Sequence, residues 1–371
     1  METLVLSNTA TRRDLLLAGL ALAASGGALS QTKTPARFRV AVGGDYEHLA
    51  LKHARWETLG EEVEIVSFNK PFNSPQETVA AFRDFDAVLL MRERVPMPRE
   101  MLQQLPRLKL IVFSGLMNAT LDHAAAAERN ILVLRALGME GDDDAPGGGP
   151  AELALALMLA CAWHIPQADA LIRKGGWVMQ PEIPIKIPLG GKVLGIAGYG
   201  GIGASAGRYG KALGMKVLGF SRSLTDEIAR ADGVTRADLE TLLRTSDVIS
   251  IHLPLTAQTK GMIGARQISL MKPGVVLINT ARAGIVDEAP MIEALRTRKI
   301  AIAGFDVFSK EPLPQAHPLL QLPNVVMTPH IGYISEAALA SRYEAMLDVV
   351  LGYRQGTLTI KDRYVPSARD G

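Results

Sequence analysis

Short apolar runs alternate with longer stretches of mixed polarity along most of the chain. Five runs in the first half predict strands, at residues 38–42, 63–68, 87–91, 108–113 and 131–134. Six runs in the second half predict further strands, at residues 193–197, 217–220, 248–253, 275–279, 301–306 and 325–327. Nearly continuous apolar strands that alternate with helical segments are typical of parallel sheets covered by helices. The pattern therefore predicts an α/β protein with two Rossmann-like parallel-sheet domains.

A turn-rich, acidic stretch at residues 141–150 interrupts this pattern. Clusters of Gly, Asp and Pro between periodic segments are typical of loops, and we interpret the acidic run as solvated loop and not as a metal site. We therefore predict that the break between the two domains lies here.

The predicted strand at residues 193–197 runs directly into a glycine-rich turn at the start of a helix. The turn contains Gly198, Gly200, Gly201, Ile202 and Gly203 in the spacing Gly-x-Gly-x-x-Gly. Gly198 permits a tight turn, Gly200 lets backbone N–H groups approach a pyrophosphate, and Gly203 lets the helix pack closely on its strand. The helix N-terminus faces the phosphates with a partial positive charge. The segment predicts a dinucleotide-binding turn, although an ordinary tight turn can contain the same glycines.

Three polar side chains follow later apolar runs, and they are Arg282, Glu311 and His330. The carboxyl ends of parallel strands meet at one edge of a sheet, where ligands bind. His330 can exchange a proton with a hydroxyl or keto oxygen, Glu311 can hold the imidazole, and Arg282 can clamp a carboxylate. Each residue alone is also compatible with a surface or core role. Their shared position after strands favours an active site for hydride transfer.

From about Phe38 to Ile360 the chain resembles the D-isomer-specific 2-hydroxyacid dehydrogenase family. The motifs that carry the resemblance lie at residues 151–160, 175–177, 250–256, 279–288, 305–312 and 328–332. The resemblance implies that Arg282, Glu311 and His330 are catalytic. Formate dehydrogenases, a close branch, pair the histidine with Gln, so Glu311 favours a 2-oxoacid or 2-hydroxyacid substrate.

The resemblance also implies further cofactor contacts and a domain organisation. The contacts come from Leu253, Pro254, Thr280, Ala281 and Asp306, the last to the nicotinamide amide. In the family a helical tail returns to the first domain. We therefore expect a discontinuous substrate-binding domain of residues 37–140 and 332–365, and a dinucleotide-binding domain of residues 150–331. Substrate would lie in a hinged cleft between them, whose closure excludes water.

Two departures from the family pattern concern specificity. NAD-preferring members have an Asp at the end of the second cofactor strand, where this chain has Ser221, Arg222 and Ser223. These residues can receive a 2′-phosphate, so we expect NADP, with NAD as the alternative. The second departure is the loop at residues 113–122, which holds the substrate carboxylate in relatives. Leu116 and Met117 replace glycine-rich sequence there, and we expect Met117 to narrow the substrate pocket.

Composition adds few constraints. The 371 residues, 48% of them hydrophobic and 21% charged, can bury a sizeable core. A formal charge of +2 with dispersed Lys and Arg argues against a nucleic-acid surface. Cys161 lies in an apolar helical stretch and is predicted to be a buried thiol. The seven histidines lack metal-ligand spacing, so no metal is expected. Surface or capping roles are predicted for His48, His53, His123, His164 and His317.

The N-terminus carries the pair Arg12-Arg13 before a short apolar run at residues 15–24, followed by small residues at 28–30. This pattern is typical of a twin-arginine export signal, and the apolar run is too short to span a bilayer. We expect a leader of residues 1–31 and a periplasmic mature protein. The alternative is an incidental leader on a cytoplasmic enzyme.

The sequence as a whole predicts an exported, NADP-dependent oxidoreductase that interconverts a small 2-oxoacid and its D-2-hydroxyacid. A homodimer is expected through the helix that begins near Ala151, although this helix can equally be buried within the monomer. Two alternative functions stay open. One is a nucleotide-binding sensor or scaffold without turnover, and the other is an exported enzyme with permanently bound NADP.

Overall fold

The computed structural model describes residues 4–5, 37–115, 117–137, 148–178 and 185–358. Leu116, most of the predicted leader and most of the turn-rich stretch at residues 141–150 lie outside the described residues. The chain divides into two compact units. Unit 1 contains the described residues of Met1–Met139 and Leu339–Pro366, and unit 2 contains those of Glu140–Ala338.

Unit 1 is built on a six-stranded sheet in the order β1-β3-β2-β4-β5-β6. Its strands are β1 Leu4–Val5, β2 Phe38–Gly43, β3 Val63–Phe68, β4 Ala87–Leu90, β5 Leu110–Ser114 and β6 Leu132–Ala136. Strand β1 pairs antiparallel with β3, and the other strands are parallel. Every residue of β4 and β5 is buried, which explains their continuous apolar sequence.

Short helices cover the sheet of unit 1. They are α1 Ala50–His53, α2 Pro75–Phe82, α3 Arg99–Leu102 and α4 His123–Glu128, with a 3₁₀ helix at Trp56–Leu59. Ser74 caps α2 by accepting the N–H of Glu77, and Asp122 caps α4 by accepting the N–H of Ala125. Such caps satisfy backbone donors that the first turn of a helix leaves free.

Unit 2 contains a seven-stranded parallel sheet in the order β13-β12-β11-β10-β7-β8-β9. Its strands are β7 Val193–Ala197, β8 Lys216–Phe220, β9 Thr235–Arg236, β10 Val248–Ile251, β11 Val275–Asn279, β12 Ile300–Phe305 and β13 Val325–Met327. The strand order reverses between β7 and β10, so this pair marks the switch point where α/β sheets bind ligands. Two parallel-sheet units confirm the predicted fold class. The sequence pattern missed β9, because its two residues are polar and exposed.

Helices cover unit 2, and they are α5 Gly149–Trp163, α6 Ile165–Arg173, α7 Gly201–Ala212, α8 Asp226–Asp232, α9 Leu239–Thr245, α10 Ala265–Leu270 and α11 Glu288–Arg296. The last helix, α12 Glu336–Gln355, begins in unit 2 and belongs to unit 1 from Leu339 onward. Two 3₁₀ helices lie at Ala283–Ile285 and Pro318–Gln321. One face of α5 is buried within unit 2, including Cys161, where burial raises the pKa of the thiol to about 12. None of the nine residues of α6 is buried.

The search for membrane spans covered the described residues. No single helix among them is long and apolar enough to cross a bilayer, and the bent pair α5–α6, with a 60° break, passes by length and composition only.

A carboxylate stands at the same place in both sheets, and it is buried at Asp86 and partly buried at Asp247. Asp86 precedes β4 and accepts the N–H of Arg39 at 3.1 Å, with Lys109 and Arg107 also paired to it. Asp247 precedes β10 and accepts the N–H of Val193 at 2.8 Å, with Lys272 paired to it. Each carboxylate thus ties the start of its own strand, β4 or β10, to the first residues of the neighbouring strand, β2 or β7.

Asp45 follows β2 in unit 1, where unit 2 has its glycine-rich turn. Its Oδ1 accepts the N–H groups of Leu49 and Ala50, at 2.8 and 3.1 Å, and its Oδ2 accepts the hydroxyl of Ser67. The hydroxyl of Tyr343 on α12 donates to Oδ1 at 3.1 Å. Burial and the adjacent carboxylate raise the pKa of Tyr343. Asp45 therefore fastens the last helix to unit 1.

Candidate active site

The glycine-rich turn after β7 has three glycines with three different surroundings. Gly198 has a φ of +106°, and a Cβ there would lie 2.5 Å from the carbonyl carbon of His252. A Cβ on Gly203 would overlap the carbonyl oxygen of Gly198. At Gly200, by contrast, a Cβ would meet no described atom within 4 Å. The open space beside Gly200 is where a ligand can approach the backbone.

The first turn of α7 presents backbone N–H groups to this space. Gly200 is the N-cap and makes no side-chain capping bond, and Gly201, Ile202 and Gly203 form the first turn. The N-terminus of a helix attracts anions through its free N–H groups and its dipole. The turn therefore offers the donors that a pyrophosphate needs.

Tyr199 anchors the glycine-rich turn to the interior of unit 2. Its ring is buried, and its hydroxyl donates to Asp232 Oδ2 at 2.9 Å at the end of α8. Burial, followed by the hydrogen bond to Asp232, raises the pKa of Tyr199, so the phenol stays protonated. The residue between the first two glycines is thus a structural anchor, which the spacing motif did not reveal.

The end of β8 carries the three residues predicted to select the cofactor. The Ser221 and Ser223 hydroxyls lie 2.9 Å apart, and the N–H of Ser223 donates to Ser221 Oγ at 3.1 Å. Arg222 is exposed and forms no hydrogen bond or ion pair with any described residue. Its guanidinium is therefore available to a ligand.

The ends of β10 and β11 border the same edge of the sheet. Leu253 and Pro254 follow β10, and Thr280 and Ala281 follow β11. The Oγ1 of Thr280 is buried and has no hydrogen-bond partner among the described residues. A buried hydroxyl without a partner costs free energy, so a bound ligand is a natural partner for it. This orphaned hydroxyl and the open space at Gly200 fit a dinucleotide.

The side chain of His252 lies close by and points to Ser250, with Nε2 and Oγ 2.8 Å apart. Burial lowers the pKa of His252 to about 4, so its ring is neutral at physiological pH. His252 therefore adds no positive charge beside the glycine-rich turn.

Arg282, Glu311 and His330 lie on three loops of unit 2, after β11, β12 and β13. Glu311 Oε2 lies 2.6 Å from His330 Nδ1, and Glu311 Oε1 accepts the N–H of Phe308 at 2.9 Å. Partial burial alone would raise the pKa of Glu311. The bonds from His330 and Phe308 and the charge of Arg282 outweigh burial, so the pKa of Glu311 lies below its ordinary value. The structure thus pairs His330 with Glu311, and Arg282 acts on the carboxylate through its charge.

The backbone at His330 is held in an uncommon conformation. His330 has a φ of +55°, in the left-handed region. Asp306 is buried and accepts three bonds from this turn, from the Thr328 hydroxyl at 2.6 Å and from the N–H groups of Ile331 and Gly332, both at 2.9 Å. Asp306 therefore fixes the turn that presents His330. Its implied contact with a nicotinamide amide stays a prediction.

The predicted substrate loop belongs to unit 1. Met117 lies there with 42% of its surface exposed, and Leu116 is outside the described residues. Asn118 shapes the loop, because its amide donates to the carbonyl of Arg92 and its carbonyl accepts the N–H of Thr120. Substrate contacts from Leu116 and Met117 stay predictions.

Comparisons with known proteins place this site in a family. The NAD-binding domain of the D-isomer specific 2-hydroxyacid dehydrogenases matches residues 155–332, and their catalytic domain matches residues 46–145. A D-3-phosphoglycerate dehydrogenase of Archaeoglobus fulgidus is 39% identical over 293 residues, 78% of this chain and 51% of that protein. This chain thus spans about half the length of that relative.

Two further relatives match over most of their length. A glyoxylate reductase of Thermococcus litoralis is 37% identical over 74% of this chain and 82% of that enzyme. The crystal structure of a phosphoglycerate oxidoreductase from Vibrio cholerae has a TM-score of 0.76 and 28% identity, covering 86% of this chain and 99% of that one. The chain, with its nicotinamide-binding unit and its His330–Glu311 pair, therefore belongs to the D-isomer-specific 2-hydroxyacid dehydrogenase family.

Proposed function

We propose that this protein reduces a small 2-oxoacid to its D-2-hydroxyacid, and that His330, Glu311 and Arg282 carry the chemistry. The observation that carries the proposal is the 2.6 Å contact between His330 Nδ1 and Glu311 Oε2, at the sheet edge that also holds the dinucleotide-binding turn. The bound nicotinamide supplies or accepts the hydride.

The contact with Glu311 assigns separate tasks to the two ring nitrogens. Glu311 holds Nδ1, so Nε2 is the nitrogen that faces a substrate. The imidazolium donates its Nε2 proton to the keto oxygen during reduction and takes it back during oxidation. The carboxylate of Glu311 stabilises the positive charge of the ring before transfer. Arg282 forms a bidentate pair with the substrate carboxylate and orients the carbon that receives the hydride.

The test is a panel of 2-oxoacids offered with NADH and with NADPH. The names of the relatives suggest glyoxylate and 3-phosphohydroxypyruvate, and pyruvate and hydroxypyruvate complete the panel. His330→Ala is expected to lower kcat by about 10²- to 10⁴-fold. Arg282→Ala is expected to act mainly on KM, because it removes the carboxylate clamp. Near-normal turnover by His330→Ala would refute the mechanism, and nucleotide binding without turnover would favour a sensor.

NADP as the preferred cofactor is the second part of the proposal. It is supported by the exposed guanidinium of Arg222 between two hydroxyls. Arg222→Asp is expected to reverse the preference, because it removes the partner of a 2′-phosphate and adds a repulsive charge. Kinetics with both cofactors measure this. A wild-type protein that already uses NADH better than NADPH contradicts the role of Arg222.

A homodimer is the third part. The helix expected at its interface, α5, has one face buried within unit 2, and the dimer is supported instead by exposed apolar residues in and around α6. These residues are Trp163, Ile165, Ile172, Trp177 and Val178, each between 51% and 71% exposed. Apolar patches of this kind mark interaction sites. Ile172→Glu is expected to yield monomers in analytical ultracentrifugation. Ile228→Glu, at an apolar residue 46% exposed on α8, is the matched control. A monomeric wild-type protein contradicts the proposal.

Export is the last part, supported by Arg12-Arg13 and the apolar run behind them. Replacement of both arginines by lysine is expected to keep the precursor in the cytoplasm without changing cofactor binding. Cell fractionation and N-terminal sequencing measure the outcome. Strand β1 lies within this leader and pairs with β3. A mature protein that retains the leader contradicts export with cleavage.

A further inference from the structure

The loop between β12 and the 3₁₀ helix Pro318–Gln321 carries Glu311, and its position decides whether Glu311 reaches His330. Beneath part of this loop is a cavity of about 520 Å³. Phe308 and Ser309 line the cavity on the loop side, and Glu288 and Met291 line it on the side of α11. Val307 is buried and Phe308 packs against the core of unit 2, but Ser309, Lys310 and Glu311 are exposed. Polar contacts must therefore hold this exposed part of the loop.

Glu288, in the first turn of α11, makes contacts with both ends of the loop. Its Oε1 accepts the hydroxyl of Ser309 at 2.8 Å and lies 3.3 Å from Nε2 of His317. Ser309 precedes Glu311 by two positions, and His317 follows it by six. One carboxylate oxygen therefore joins the two ends of the segment that contains Glu311.

The cap that His317 forms determines which of its ring nitrogens faces Glu288. His317 Nδ1 accepts the N–H of Leu319 at 3.3 Å, so in the neutral ring Nε2 carries the hydrogen and lies 3.3 Å from Glu288 Oε1. Glu288 in turn lies at the helix N-terminus, where the dipole favours a carboxylate. The charged neighbours that line the cavity beside it are Lys260 and Asp287.

We propose that Glu288 is a positioning residue, which clamps the loop through Ser309 and His317 and so holds Glu311 against His330. This inference rests on the proposed catalytic function. A clamp of this kind matters because a displacement of about 1 Å at a catalytic pair can lower the rate by about 10²-fold.

The test compares Glu288→Ala with Glu288→Gln in the full-length protein. Glu288→Ala is expected to lower kcat by about 10- to 100-fold, with little change in KM. It is also expected to move the pH–rate profile in the same direction as Glu311→Gln, because both changes separate His330 from its carboxylate. Glu288→Gln is expected to restore most of kcat and most of the original pH–rate profile, since its amide oxygen can make the same two contacts. Glu293→Ala, at an exposed carboxylate on α11, is the matched control.

A purely structural role gives a different result. A lower melting temperature for Glu288→Ala, with kcat and the pH profile unchanged in the folded protein, overturns the proposal. If Glu288→Ala does not fold, Ser309→Ala removes one contact and is expected to give a smaller change in the same direction. His330→Ala and Glu311→Gln are measured in the same series. Loss of activity in those two with none in Glu288→Ala refutes the clamp, whereas activity retained in His330→Ala refutes the proposed function instead.

Discussion

The surroundings of Glu311 act on its pKa in two opposite directions. Its partial burial favours the neutral acid, but the hydrogen bonds with His330 and Phe308 and the charge of Arg282 favour the carboxylate and lower its pKa. The carboxylate therefore persists to a more acidic pH than an unperturbed Glu, whose pKa is about 4.3. As pH falls through the lowered value, Glu311 is protonated and its pairing with His330 is lost.

Glu311→Gln is expected to lower kcat at neutral pH and to move the pH–rate profile to lower pH. The physical reason is that an amide cannot stabilise the imidazolium, so the ring loses its proton at a more acidic pH. Steady-state rates between pH 4 and 9 would measure the shift. Glu311→Asp, which keeps the charge on a shorter side chain, is the control, and identical profiles for wild type and Glu311→Gln would contradict the pairing.

Substitutions at Gly200 and Gly203 are expected to have different effects, the first on cofactor binding and the second on the stability of the fold. Gly200→Ala is expected to leave the melting temperature unchanged, because a Cβ there meets open space, but to weaken cofactor binding about tenfold or more. Gly203→Ala is expected to destabilise the fold by about 1–3 kcal/mol, since its Cβ would overlap the carbonyl of Gly198. Thermal unfolding and cofactor titration of both variants measure this. Equal effects on stability would show that the turn adjusts more freely than its contacts indicate.

Among the elements, most strands could be predicted from the sequence, because a strand buried on both faces consists of a continuous run of apolar residues. Strand β7 begins and ends where its apolar run does, at Val193 and Ala197. The run at residues 248–253 instead extends beyond β10, which ends at Ile251. After this residue the chain turns across Gly198, and apolar side chains continue although the ladder has stopped. Hydropathy records burial, and the end of a strand depends on backbone pairing.

The residues of the site were predictable to a different degree. The positions of Arg282, Glu311 and His330 follow from strand ends, which the apolar pattern reveals. The roles of Asp306 and Glu288 do not, because the contacts of both depend on the path of loops with no periodicity. The resemblance implied a cofactor contact for Asp306, but for its bonds to the turn of His330 the sequence offered only a carboxylate that directly follows a buried strand.

The contacts of Asp247 lead to a prediction about how the stability of the sheet in unit 2 depends on pH. Burial would raise its pKa, but the bonds from Val193 and Lys272 outweigh this effect and lower it. A lowered pKa in the folded state stabilises the fold above the unfolded pKa of about 3.9, and this contribution is lost as pH falls through the folded value. Asp247→Asn is therefore expected to reduce the free energy of unfolding by about 1–2 kcal/mol at pH 7, and by less near pH 3.

Denaturant unfolding at the two pH values measures this effect. Asp226→Asn is the control, because its ion pair with Arg236 is exposed and contributes little. Asp86→Asn is expected to behave like Asp247→Asn in unit 1, since the pKa of Asp86 is lowered against its burial by equivalent bonds. A loss of stability that does not depend on pH would point to lost packing instead.

At the scale of the whole molecule, the chain contains the same parallel-sheet plan twice. In both units the first long strand lies inside the sheet, and the order reverses beside it, between β2 and β4 and between β7 and β10. By topology alone, each unit has a crevice in the position where such sheets bind ligands.

The buried carboxylate of Asp45 decides how many nucleotides one chain can hold. In unit 1 it already accepts the N–H groups of Leu49 and Ala50, the donors that would otherwise face a phosphate. Because the Asp45 side chain already occupies these two N–H groups, they cannot also bind the phosphates of a second dinucleotide. We expect isothermal titration calorimetry with NADPH to give a stoichiometry of one nucleotide per chain, and two equivalent sites would contradict this reading of the duplicated fold.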